Sequence, residues 1–587
     1  MRRKIEFSSL GCALTIWFGA VCLAGESTPY QVRFDGVPER GLLRILRAHS
    51  ETYQLRDRPP PTDGLLLWRA RQDLPALRDV LRSAGYYGAQ AEVALESSTP
   101  RRVVFQIRAG PRYRLGSVAL EVPDASLARP PREMGWATGM PARADALLAA
   151  ERIWLEWVRG RGHPFAAFKR RIYEPDHEKA LLRVRLKLDP GPKAYWGELS
   201  ITGLVRLSES FVRAEVGLEP GAPYDPVCLE EIRTRLVRLG LFSSVSLTHA
   251  EQVDESGRLP LVLAIRERRP RTIEAGVHYS TDEGARSRFE WEHRNLEGRA
   301  ERLRLAADLG ERVVAAEGRL ALLQFLRPRQ RLVLSARAAE EETEAFGSRN
   351  ARAAAELERE WRQRLWIRSG LAFRLSEVGQ FDEEENYVFA SVPASMEWNT
   401  SRFVLDPRSG FRLFAAAEPF FDLERKNRGF FKSSAAVHRY QPLVRDRSWV
   451  FAGRALAGSI VGAASARIPA DERFYAGGGG SVRGYAFQSL GPLQDGKPVG
   501  GRSVLEVSAE VRAQLHEQFG GVVFLDGGTA YEHPIPDFDE AFRWGAGIGV
   551  RYFTPVGPLR ADVAFPLQRR EGIDKPFQFY LSLGQAF

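Results

Sequence analysis

The sequence predicts two halves of different class: an α+β N-terminal half of three small repeated domains, and an all-β C-terminal half closed as a transmembrane barrel. Three observations predict this. A basic, then apolar start marks the chain for export. A helix, glycine, aromatic and strand return together at near-constant spacing. Everything after Arg269 alternates apolar and polar residues with period two.

The chain starts Met1-Arg2-Arg3-Lys4 and runs apolar over residues 10–24 (LGCALTIWFGAVCLA), with small residues at Ala24-Gly25. A charged head, a short apolar stretch and a small-residue end describe a cleaved secretory signal, expected over residues 1–24. The stretch is shorter than the ~20 residues a helix needs to cross a bilayer, and nothing later approaches ~18 uninterrupted apolar residues. Cys12 and Cys22 fall inside the signal and leave Cys228 alone, so no intrachain disulfide or cysteine-based metal site is expected. Nine scattered histidines add no metal pattern. The net charge of +10 is spread thinly, which implies a solvated surface, with contact to anionic lipid or lipopolysaccharide as a further use. Nucleic acid is not an expected partner of an exported chain.

The repeats read VLRSAGYYGAQAEVALE, WVRGRGHPFAAFKRRIY and LVRLGLFSSVSLTHA, with marker glycines at Gly85, Gly162 and Gly240, 77 and 78 residues apart. The third is the most legible. The strand AYWGELSITG leads to a helix over 208–216, and Asp225-Pro226 then opens a second, Asp225 capping it and Pro226 suiting its first turn. Leu229, Ile232, Leu236 and Leu239 share one face of that helix, and the strands FSSVSLTHA and LPLVLAIRER complete a strand-helix-helix-strand-strand unit. The pairs Gly110-Pro111 and Gly191-Pro192 begin the second and third copies. Such a domain leaves sheet edges open to an added strand, or serves only as a spacer.

In RSVLEVSAEVRAQL, Leu505, Val507, Ala509 and Val511 oppose Glu506, Ser508, Glu510 and Arg512. In the 543–552 segment, Trp544, Ala546, Ile548 and Val550 oppose Gly545, Gly547, Gly549 and Arg551. A soluble sandwich also shows one apolar face per strand, so alternation alone leaves both folds open. Sixteen strands sharing residues 270–587 would each have about 20 residues with their connection, comfortable for membrane strands of ~9–11. The sequence ends on an aromatic, Phe587, after alternating aromatics and aliphatics.

FYAGGGGSVRGY at 474–485 is the most unusual stretch. A phosphate cradle would need a helix after the glycines, and YAFQSLGPLQDGKPVGG is loop-like instead. Two uses remain open: Arg483 on a solvated loop tip, or Arg483 turned into a barrel lumen, where a desolvated cation needs carboxylates. Glu506 and Glu510 lie on the inward face of one strand, and Asp526 shares a face with Phe524 on the next.

These residues also carry a resemblance. FYAGG…VRGY, then Phe524, Asp526 and Gly528 in FLDGG, then PVGPLRADVAFPL and the terminal Phe587 resemble the Omp85 superfamily of outer-membrane assembly and translocation proteins. In that family the loop arginine locks onto an acidic cluster of the inner wall. By position this implies Val482, Arg483, Gly484 and Tyr485 against Phe524, Asp526, Gly528 and Glu510. The resemblance further implies periplasmic POTRA domains at 28–109, 110–190 and 191–268, and a 16-stranded outer-membrane barrel over 270–587. Its first and last strands would meet in a weak seam, with Gly276, Gly584 and Phe587 at that seam. Three repeats and GVHYSTDEG at 276–284 are similar to the translocation-and-assembly branch of the superfamily.

That branch implies insertion of β-barrel proteins such as autotransporters through the seam. It also implies a TamB-like partner, anchored in the inner membrane, that meets the POTRA domains. No hydrolysable cofactor is needed, since no bond is made or broken. A two-partner-secretion pore, passing protein through the lumen, is the alternative; such transporters carry two repeats and a plug helix. An enzyme is not expected: H-E-x-x-H and G-x-S-x-G are absent, and Asp382 to Glu385 form a charged loop.

Overall fold

The computed structural model describes residues 30–127, 135–362, 364–401, 405–425, 429–555, 557–583 and 585. The expected signal at 1–24 lies outside them, as do Gly584 and Phe587. The chain divides into two compact units: residues 199–218, 231–248 and 262–587 form one, the remainder the other, and the third repeat contributes to both.

The first repeat runs β1 (Gln31–Asp35), α1 (Arg40–His49), a single-turn α2 (Glu51–Gln54), α3 (Asp63–Ser83), β2 (Gln90–Glu96) and β3 (Arg102–Arg108), with sheet order β1-β3-β2. Leu42 and Leu46 of α1 and Leu66, Ala70, Leu77 and Leu81 of α3 recur at helical spacing and bury against Phe105 and Ile107 of β3. The second repeat has β4 (Arg114–Glu121), α4 (Ala144–Arg159), β5 (Ala167–Asp176) and β6 (Leu181–Asp189), ordered β4-β6-β5. Its described residues hold one α-helix and a short 3-10 turn at Ala125–Leu127, not the two helices expected of each repeat. The third has β7 (Tyr195–Thr202), α5 (Glu209–Val216), α6 (Pro226–Arg238), β8 (Phe242–His249) and β9 (Arg258–Glu267), ordered β7-β9-β8. The Val227 amide donates to Asp225 Oδ1, so Asp225 does cap α6. The marker glycines follow α3, α4 and α6 with φ of 99°, 94° and 68°, a left-handed backbone that ends a helix and that glycine adopts without strain.

From Arg271 the chain forms a closed antiparallel barrel. Glu383–Ser391 and Ala394–Asn399 pair with the same two neighbours and are one strand interrupted at Pro393, which gives sixteen strands among the described residues. Burial decides between barrel and sandwich. Along Ser503–Gln514 the side chains of Glu506, Ser508, Glu510 and Arg512 are buried while Leu505, Val507 and Val511 are partly exposed. Along Phe519–Tyr531, Asp526 is buried and Val523 and Leu525 are exposed. Apolar side chains outside and ionic ones inside is the pattern of strands bathed in lipid around a polar lumen, since a water-borne sandwich would invert it.

Turns at one barrel end hold parts of the third repeat. Gln324 Nε2 donates to the Phe211 carbonyl at 3.0 Å and to Glu215 Oε1 at 2.8 Å, and the Ser208 amide donates to the Gly298 carbonyl at 2.8 Å.

Candidate functional site

Residues 462–502 connect strands Trp449–Val461 and Ser503–Gln514 at the barrel end opposite those turns, and they fold into the lumen instead of standing in solvent. Two backbone bonds between Phe474 and Gly501 and one from Leu490 to Ala476 tie the loop to itself. Its tip packs Ala476, Val482, Tyr485 and Leu490 with Val504 in a small apolar cluster.

Arg483 is 2% exposed. Its Nε donates to Asp526 Oδ2 at 2.6 Å, Nη2 to Asp526 Oδ1 at 2.9 Å and Nη1 to Asp562 Oδ2 at 3.2 Å, while Nη2 lies 2.7 Å from Glu510 Oε1. The guanidinium carbon stands 3.5 Å from the centre of the Phe524 ring, so the cation has carboxylates at its edge and a π face beneath it. Arg512 holds the other oxygen of Glu510 at 2.8 Å, and Arg551 and Arg560 flank Asp562. The charges balance one another closely enough for all of them to stay buried. Gly484 has φ of 100°, its amide donates to the Tyr580 hydroxyl at 3.2 Å, and a Cβ there would lie 2.9 Å from the Phe565 carbonyl carbon. Tyr485 Oη donates to the Trp544 carbonyl at 3.0 Å. Gly528 faces Val482, whose Cγ2 lies 3.0 Å from where its Cβ would be. Glu506, the other inward acid, takes Arg454 at 2.7 Å and Ser481.

The same loop has a second, opposite anchor. Asp471 and Glu472, in a short 3-10 turn (Ala470–Glu472), receive Arg374 from the wall, with Lys432 at 2.9 Å from Glu472 and Ser348 donating to Asp471 at 2.8 Å. Arg374 stands on the seventh barrel strand and Asp562 on the fifteenth, half the circumference apart. The loop therefore crosses the lumen, acid held by base at one wall and base held by acid at the other.

Beside it the barrel closes weakly. Among the described residues the first strand, Arg271–Ser280, meets the last, Gln578–Leu583, at two residue pairs, Tyr279↔Leu581 and Ser280↔Tyr580, against ten pairs with the second strand. Beyond them Thr281 exchanges bonds with Phe579, its amide to the carbonyl and its Oγ1 with the amide, each at 3.0 Å. Gly276 opposes Arg288 of the second strand and lies outside the two seam pairs. The edge from Arg271 to His278 has no partner on its far side among the described residues, and Ile273 and Val277 there are 77% and 73% exposed.

Residues 295–587 match the Omp85 superfamily domain, and residues 194–268 match POTRA, described as a surface antigen variable number repeat. The C-terminal half of the chain is an Omp85 domain. The Omp85 barrel and the POTRA repeat at 194–268 place the protein in the outer membrane with that repeat in the periplasm. Outer membrane protein assembly factor BamA of Neisseria meningitidis serogroup B is 20% identical over 92% of this chain and 77% of its own length. BamA of Nitratidesulfovibrio vulgaris is 29% identical, but over 27% of this chain and only 20% of its own length. Among solved structures, BamA from Haemophilus ducreyi lacking POTRA domains 1-3 covers 80% of this chain at 17% identity, with a TM-score of 0.64. CdiB from Escherichia coli covers 93% at 13% identity, with a TM-score of 0.51. Both likenesses concern the fold.

Sequence reasoning about the Omp85 motif named Arg483, Asp526 and Glu510, and the structure brings these three together. It did not single out Asp562, although the alternation of LRADVAF puts Arg560 and Asp562 on one inward face. It also passed over Asp471 and Glu472, immediately before the glycine stretch, and over the reason for GAGIG. Gly545, Gly547 and Gly549 leave room for the anchor: added Cβ atoms would lie 2.0 Å from the Arg483 carbonyl oxygen, 2.3 Å from the Phe524 ring and 1.9 Å from an Asp562 oxygen.

Proposed function

We propose that this chain is a TamA-like assembly and translocation factor that inserts β-barrel proteins, autotransporters among them, through the seam between its first and last strands. One observation carries the reading: a strand edge of eight residues, Arg271 to His278, that has no partner among the described residues, beside a closure of two pairs. In hydrocarbon each unpaired backbone group costs several kcal/mol, so such an edge is a template for an incoming strand. Added strands would extend the sheet by β-augmentation and leave sideways into lipid. Arg483, held by Glu510, Asp526 and Asp562, would fix the loop that supports the wall next to the seam, where Gly484 meets Tyr580 of the last strand. The POTRA repeats would receive a TamB-like periplasmic protein anchored in the inner membrane and the unfolded substrate. That the curated relatives include proteins named outer membrane protein assembly factor supports this class of work.

The test is site-specific photocrosslinking from Gly276 or Val277 in cells. Trapping of outer-membrane β-barrel proteins in mid-assembly is the expected result, and a first strand that traps none of them defeats the reading.

A pore that passes protein through the lumen is the second reading, and the CdiB-like fold favours it. The loop bound at both walls opposes it, because the lumen is crossed. Large, steady conductance in planar bilayers would decide for the pore.

A further inference from the structure

The first repeat carries a basic groove that neither the barrel nor the seam uses. It holds about 800 Å³ and is lined by Arg40, Arg44 and Arg47 of α1, by Arg56 beyond α2, and by Tyr53 and Leu43. On α1 the three arginines recur at i, i+4 and i+7 and so share one face, and the helix has no acidic residue. Arg47 and Arg56 approach the Tyr53 ring together, at 5.2 and 4.8 Å from its centre. None of the four makes an ion pair among the described residues, and Glu39, the carboxylate at the start of α1, is taken by Arg112 at 2.9 Å. Four exposed guanidiniums around one concavity sum to a positive field, to which the positive end of the α1 dipole adds only at Arg40. The groove therefore presents a concentrated positive field to solvent.

We propose that this groove binds the phosphate headgroups of anionic phospholipid, docking the first POTRA repeat on a membrane surface. The lining favours lipid over an acidic polypeptide. It is made of helical side chains and offers no sheet edge, so an extended chain would find no main-chain partners. A phosphate needs none, because its oxygens are satisfied by guanidinium forks.

The experiment uses the full chain held in phosphatidylcholine nanodiscs and measures co-sedimentation with vesicles of phosphatidylglycerol and, separately, of phosphatidylcholine. Binding to phosphatidylglycerol alone, falling steeply with added salt, is expected. A basic residue near an anionic surface contributes about 5-fold, so the combined Arg40→Gln, Arg44→Gln, Arg47→Gln and Arg56→Gln variant should weaken it by about 100-fold or more. The four side chains make no buried contact, and an unchanged circular dichroism spectrum verifies that the variant is folded. Equal binding of wild type to both vesicles, or of wild type and variant to phosphatidylglycerol, overturns the proposal. So does soluble polyglutamate binding wild type while phosphatidylglycerol vesicles do not, which would make the groove an acidic-protein site.

Discussion

Arg483 and Asp526 meet three times over: Nε to Oδ2 at 2.6 Å, Nη2 to Oδ1 at 2.9 Å, and the Arg483 amide to Oδ2 at 3.3 Å. The forked side-chain pair fixes the guanidinium in its plane, and the amide contact fixes the loop backbone with it. A lysine would retain the charge but lose the fork.

Arg483→Ala leaves Asp526, Glu510 and Asp562 buried around an empty position. Breaking a buried ion pair from one side costs about 3–5 kcal/mol. A folded barrel with a lowered melting temperature and reduced substrate insertion is expected, with Arg483→Lys between the two. Heat-dependent mobility on gels reads the first, and an assembly assay the second. Wild-type behaviour of the alanine variant would return Arg483 to a passive role.

The opposite anchor should release the other end of the loop. Arg374→Ala strands Asp471 and Glu472, again at about 3–5 kcal/mol. Protease cleavage between residues 462 and 474 should rise while the Arg483 end stays protected. Cleavage spread evenly over 462–502 would mean that the two walls do not hold the loop independently.

Tyr279 and Leu581 are cross-strand partners at the seam. Cysteines at both positions should form a disulfide across the two strands, since paired residues there bring Cβ atoms within bonding reach. Oxidation is expected to stop substrate insertion and a reductant to restore it. Insertion at the normal rate with the seam locked would rule out lateral release.

Gly547→Val should disturb the anchor from behind, because a Cβ at Gly547 would lie 2.3 Å from the Phe524 ring that sits under Arg483. Overpacking of this kind costs about 1–3 kcal/mol. The expected outcome is a lowered melting temperature that does not add to that of Arg483→Ala in the double variant, because both act on one cluster.

Glu267 gives a pH dependence outside the membrane. Burial pushes its carboxyl up, but the amides of Leu207, Val205 and Arg206 outweigh this and hold it below the usual range. A depressed carboxyl stabilises the folded state fully above the unfolded pKa of about 4.3, and the contribution is lost as pH falls through the folded value. The melting temperature of the third repeat should therefore exceed that of Glu267→Gln at neutral pH, with the gap closing in acid. A constant gap would assign the effect to packing.

The repeats were legible because each is local. Gly85, Gly162 and Gly240 end helices whose caps, faces and following strands lie within a few dozen residues, so spacing alone exposed them. Among the described residues the second repeat departed at its helix count, which no local signal marked. The barrel was legible for a different reason: alternation of Leu505, Val507 and Val511 with Glu506, Glu510 and Arg512 is fixed by the pleat, whatever the strand pairs with.

Which face looks at lipid, and which acids meet Arg483, are set by closure of the sheet. By itself the sequence determined three α+β repeats, an alternating C-terminal half and an arginine with two uses, a solvated loop tip or a lumenal cation needing carboxylates. Only the tertiary structure chose Asp562 beside Asp526, spanned the loop from Arg374 to the far wall, and paired the seam at two positions among the described residues. The physical reason is that each of these joins residues brought together by barrel circumference and register, and neither quantity is written in the neighbourhood of any one residue.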